Sequence, residues 1–107
     1  MNLKLRLISN DYIDQVTDLL LKHRLYVQCY FRFASLLEGT IAEAFEGCCC
    51  RLVNSACAWF FESLSKANPV IESAMFYYLR VDNKDQDCLK RNKLNIPPRY
   101  LKLLEKH

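Results

Sequence analysis

From Asp11 to Glu38 the chain contains neither glycine nor proline, and Ile13, Val16, Leu20, His23, Val27, Phe31 and Ala34 recur with the spacing of one helix face. Ser9, Asn10 and Asp11 are all competent N-caps, and Gly39 supplies a stop. The spacing predicts one long helix over 11–38. The whole sequence has only two glycines and three prolines in 107 residues, which favours long helices over a succession of short strands and turns.

This first helix carries a second apolar ridge at Leu21, Leu25, Cys29, Phe33 and Leu36, on nearly the opposite side. Arg24, Gln28, Arg32 and Ser35 form a narrow polar strip between the two ridges. A helix that is apolar on both sides is either central in its domain or covered by a partner.

Thr40-Ile41-Ala42-Glu43 has the capping-box form, in which the Thr hydroxyl and the Glu carboxylate each satisfy the other's backbone amide. A second helix is predicted from Thr40, with Ile41, Phe45, Cys48, Cys49, Leu52, Val53, Ala56, Trp59, Phe60 and Leu64 inward. Gly47 inside it marks a kink or a close crossing, because glycine in a helix interior costs about 1 kcal/mol relative to alanine. Joined at Gly39-Thr40, the first two helices are expected to form an antiparallel hairpin.

Asn68-Pro69 is a cap followed by proline at the first helical position, where a missing amide hydrogen does no harm. The third helix is predicted to run to about Val81, burying Val70, Ile71, Ala74, Met75 and Tyr78. Residues 82–98 read as a polar connector with a short helical turn over 87–93, and Arg99 to Lys106 as a last helix docking Tyr100, Leu103 and Leu104. Residues 1–9 form an arm, in which Leu3 to Ile8 alternates like a strand that either pairs with a second subunit or stays extended. The expected fold is all-α: one domain over 1–107, a small bundle of three long helices plus a short C-terminal helix.

A composition of 51% hydrophobic and 25% charged residues excludes a disordered chain. No secretory leader is visible, and the most apolar runs, 25–37 and 56–61, fall short of the roughly 20 residues that a membrane span needs. A soluble cytoplasmic protein that does not engage membrane is expected. Its six cysteines read as reduced thiols, since Cys48, Cys49 and Cys50 are consecutive and helix neighbours point about 100° apart. Cys50 and Cys57 share a helix side that Cys29 could approach, but the paired spacing of a zinc site is missing, so no metal or cofactor is expected.

Cys48 to Cys50 sit well inside the second helix, next to Glu46 and an apolar face, so an activated thiol is not expected there. His23 falls on the predicted core face. Asp82-Asn83-Lys84-Asp85-Gln86-Asp87 lacks the alternate oxygen ligands, central glycine and closing glutamate of a calcium loop, and reads as a solvated turn. With no P-loop, dinucleotide glycines or nucleophile elbow either, an enzyme is not expected.

Two surfaces are left to carry function. The net charge is +3, but residues 82–107 hold seven basic and four acidic side chains. Lys90, Arg91, Lys93, Arg99 and Lys102 could therefore contact phosphates in a nucleic-acid-binding regulator. The stronger signal is surplus apolar surface. Phe61 lies on the polar side of the second helix and Phe76 and Leu79 lie off the core face of the third, adding to the second ridge of the first. The leading expectation is a small regulator or inhibitor that binds a larger protein and self-associates as a homodimer, of the kind common among phage accessory proteins. Leu21, Leu25, Cys29, Arg32, Phe33, Leu36, Phe61 and Phe76 are its expected contacts.

Overall fold

The computed structural model describes residues 10–36, 45 and 47–105. Among these described residues six α-helices follow one another, α1 Asn10–Lys22, α2 Val27–Ser35, α3 Cys48–Ser65, α4 Pro69–Gln86, α5 Cys88–Arg91 and α6 Pro98–Glu105, with 3-10 turns at Arg24–Tyr26 and Lys93–Asn95. The fold is all-α. The arm over 1–9, the capping box at Thr40 and the Gly39-Thr40 joint lie outside the described residues.

The long first helix is instead two helices folded back on each other. α1 stops at Lys22, His23 leaves the helical region at φ −128° and ψ 67°, and one 3-10 turn leads into α2. Neither glycine nor proline marks this break. Its cause is tertiary: the Thr17 and Tyr30 hydroxyls are 2.9 Å apart, whereas 13 residues of straight helix would separate them by about 20 Å. Thr17 Oγ1 also donates to the Ile13 carbonyl at 2.9 Å, so the Tyr30 hydroxyl is the donor to Thr17. Leaving the predicted core face, His23 is exposed.

α3 and α4 form an antiparallel pair joined where the sequence places the joint. The Asn68 side chain accepts from the Ile71 amide at 3.0 Å, and Pro69 occupies the first turn. α4 then continues past Val81 to Gln86, through the segment read as a solvated turn, because Asp82 is a buried residue of its inner face. Val70, expected inside, is 78% exposed.

Asp82 reaches the start of α3. Its carboxylate accepts from the backbone amides of Gly47 at 2.6 Å, Cys49 at 3.0 Å and Cys50 at 3.3 Å, donors that the first turn of a helix cannot satisfy internally. Gly47 is therefore not a kink within a helix but the residue that turns the chain into α3, at φ +91°. A Cβ there would stand 3.0 Å from Gln86 Nε2, and that φ itself disfavours any other side chain.

A change of phase within α3 explains Phe61. Ala56 departs from helical geometry at φ −158° and ψ 66°, so residues beyond it are rotated relative to Leu52 and Val53. Phe60 and Phe61 both turn inward, and Trp59 is half-buried. Phe61 packs on Phe60 and on Tyr100 of α6, with centroids 5.2 Å apart in each case. The same Tyr100 covers Phe76 at 5.4 Å. Phe61, Phe76 and Leu79, expected outside, are all core, since α6 supplies a cover that the individual helix patterns do not show.

Nor are all the cysteines reduced. Cys50 and Cys88 form a disulfide with Cα atoms 5.5 Å apart, tying the first turn of α3 to α5. The pairing of Cys50 with Cys57 or Cys29 is not observed; Cys57 is a free thiol in the core and Cys29 an exposed one.

Replacing Asp82 with alanine orphans three buried or half-buried amides and is expected to cost about 2–3 kcal/mol in urea unfolding; a loss below about 0.5 kcal/mol would mean the carboxylate is dispensable. Cys88→Ser opens a 38-residue loop, for which chain entropy predicts a loss of up to about 4 kcal/mol. An unchanged midpoint against the wild type without reductant would rule that out.

Candidate functional site

The fold-back of α1 on α2 leaves a groove of about 440 Å³ between them. α1 contributes Val16, Leu19 and Leu20, the residue after it His23, and α2 with its preceding turn Tyr26, Cys29, Tyr30 and Phe33. Each set has the spacing i, i+3, i+4, i+7, one face of two helical turns. The two stripes are ten residues apart in sequence and face each other only because the chain reverses at His23.

The groove floor is apolar and its polar groups are already engaged. Tyr30 is 5% exposed and Thr17 is fully buried. Burial raises the Tyr30 phenol well above its ordinary value, against the lowering effect of the Thr17 hydrogen bond. It stays a neutral donor to Thr17. Phe33 is half-buried and its ring lies 6.1 Å from that of Phe45, closing one end against the core.

Among the described residues, Lys22 and Arg32 flank the groove, each three residues beyond a lining residue of its helix, Leu19 and Cys29. Lys22, Arg24 and Arg32 are all exposed, and the Arg24 guanidinium lies over the Trp59 ring at 5.1 Å, which restricts its motion. Asp14 and Asp18 of α1 turn toward α3, where both pair with Arg51. Both carboxylates thus face the α3 side, where one arginine matches one of their two charges.

Of the eight expected contact residues, Cys29 and Phe33 line the groove, and Arg32 stands beside them on the exposed side of α2. Leu25 and Leu36 are 82% and 72% exposed, continuing the apolar surface along the same turn and helix. Leu21 is half-buried against the core, and Phe61 and Phe76 are inside it. Missed by the sequence reading were Leu19, which is 56% exposed, and Tyr26, at 59%. Their signal was the repeated i, i+3, i+4, i+7 stripe, hidden by treating 11–38 as one helix.

The basic residues of the C-terminal quarter are exposed but not gathered. Lys90 and Arg91 lie on α5, where Arg91 donates to the Gln86 carbonyl, and Lys93 lies in the turn that follows. Arg99 bonds Glu72 at 3.0 Å and covers Tyr100, and Lys102 lies one turn further along α6. Gln86 and Glu72 are at opposite ends of α4, about 21 Å apart along its axis. Arg91 and Arg99 are thereby held to separate surfaces.

Among the described residues, no group of three or more His, Cys, Asp or Glu side chains could hold a metal ion. No described helix is long and apolar enough to cross a membrane. Burial, reinforced by the Asp14 and Asp82 charges, pushes the Cys48 thiol up to about 11, and burial raises Cys49 and Cys57 as well. Comparison with protein-family models, curated proteins and solved structures found no match.

These environments predict ordered thiol labelling. At pH 8 a pulse of iodoacetamide should alkylate Cys29 first, while Cys48, whose thiolate fraction is about one in a thousand, reacts only after unfolding. Peptide mapping by mass spectrometry that found Cys48 or Cys49 modified as fast as Cys29 would contradict the buried assignment.

Proposed function

We propose that this protein acts without catalysis, by binding another protein through the α1–α2 groove, and so serves as a small regulator or inhibitor of that partner. The observation that carries the reading is the groove itself: two facing apolar stripes, open to solvent and about 440 Å³ in volume, next to the exposed Leu25 and Leu36. A contiguous apolar surface of this kind is costly to leave in water and is characteristic of interaction sites. Tyr26, Phe33 and the nearby arginines are residue types that anchor interfaces. Helix-in-groove recognition needs a channel of this form, with side chains that enter at i, i+3, i+4 and i+7.

The nucleic-acid reading has less support, because Arg91 and Arg99 are tied to opposite ends of α4. A stripe that neutralises several consecutive phosphates is what that activity needs.

Affinity capture from the native host with the wild type, a Leu19→Asp/Tyr26→Asp variant and a Val70→Asp control tests the reading. Val70 is exposed on α4, away from the groove. The partner should be kept by the control and lost by the groove variant, with a drop of about 30-fold or more in affinity once it is purified. Identical capture by all three baits would sink the assignment.

A further inference from the structure

We infer that the occupant of the groove is an acidic amphipathic helix of a different protein, and not a second copy of this chain. This inference rests on the protein-binding reading above and adds the chemistry of the partner. Three observations point to it.

The first is what the floor lacks. Tyr30 spends its hydroxyl proton on Thr17, and Thr17 spends its own on the Ile13 carbonyl. Among the described residues no buried polar side-chain atom of the floor is left without a partner. Apolar side chains are the complementary content, and discrimination has to come from the rim.

The second is the sign of the rim. Lys22 follows Leu19 by three residues on α1 and Arg32 follows Cys29 by three on α2, so each of these exposed cations flanks a residue that lines the groove. The α1 carboxylates that might have offset them, Asp14 and Asp18, are drawn to Arg51 on the α3 side. A partner with carboxylates flanking its apolar face meets two cations, Lys22 and Arg32. Opposite charges at a rim speed encounter and select among apolar partners that are otherwise equivalent.

The third is symmetry. In a two-fold dimer the same patch meets itself, so groove-to-groove packing would bring Lys22 and Arg32 of one copy toward the same pair of the other. Like charges brought together in this way oppose association. Each stripe spans eight residues, a rise of about 10 Å, which matches two turns of a partner helix.

The test uses two labelled helical peptides with the same leucines at i, i+3, i+4 and i+7, one flanked by glutamates and the other by lysines. Fluorescence anisotropy against the full chain should show the glutamate peptide binding at least tenfold more tightly, with the gap shrinking as salt rises. A Lys22→Glu/Arg32→Glu variant, which leaves Arg24 on Trp59 and is checked for folding by circular dichroism, should reverse the preference. Equal binding of both peptides would overturn the acidic partner and leave the protein-binding reading standing. If neither peptide binds and light scattering shows a dimer that Leu19→Asp dissociates, a second copy is the occupant and the inference fails. If phosphatidylglycerol vesicles sediment the chain while the peptides do not bind, the rim reads lipid headgroups and the inference fails. A monomer that binds neither peptide nor vesicle overturns both the inference and the reading beneath it.

Discussion

The buried Asp82 carboxylate sets the position of α3 in the molecule. In sequence it belongs to the polar run Asp82 to Asp87, yet it gathers the amides of Gly47, Cys49 and Cys50, so its desolvation is offset by charge-assisted hydrogen bonds and by the positive end of the α3 dipole. That contact fixes the beginning of α3 against the last turns of α4. With those two ends pinned together, Cys50 lies within reach of Cys88, and Asn83 accepts the Leu89 amide at 3.0 Å to lead the chain into α5. The aromatic core builds outward from this corner. Phe60 meets Phe31 of α2 at 5.6 Å, and Phe61 meets Tyr100 of α6 at 5.2 Å.

On this base the α1–α2 pair is held by a few polar links with strict geometry. Gln28 donates to the Ser63 carbonyl at 2.7 Å, and Tyr78 donates to the Ala34 carbonyl at 3.0 Å, securing α2 to α3 and α4. Arg51 secures α1 through Asp14 and Asp18. Thr17 and Tyr30 then close the two helices onto each other over one part of their length. The rest of the facing surfaces, from Val16 to His23 and from Tyr26 to Phe33, stays apart and forms the groove. The feature that gives the site its shape is thus a hydrogen bond between two residues that no local pattern connects.

Local signals were reliable where local physics decides. Asn68-Pro69 starts α4 because a side-chain acceptor and a preset φ act within one turn, and Pro98 starts α6 for a related reason. Tyr100 and Leu104 dock as their spacing implied. The same periodicity misled where the phase was broken. In one continuous helix Val16 and Cys29 would point about 140° apart, yet they line one groove after the reversal at His23. The two ridges read on opposite sides of a single helix each contribute to it. Phe61 changed sides for a similar reason, through Ala56.

By itself the sequence determined that the chain is helical, that it has an aromatic-rich core, and that its N-terminal third carries more apolar surface than one helix face needs. These follow from residue type and spacing, which act over a few neighbours. Only the tertiary structure decided that Asp82 is a cap and not a solvated turn, that Cys50 joins Cys88, and that the surplus apolar surface is a groove with a basic rim. Each of those depends on which distant residues become neighbours, Asp82 with Gly47, Thr17 with Tyr30, Arg51 with Asp18, and that pairing is set by how the whole core closes.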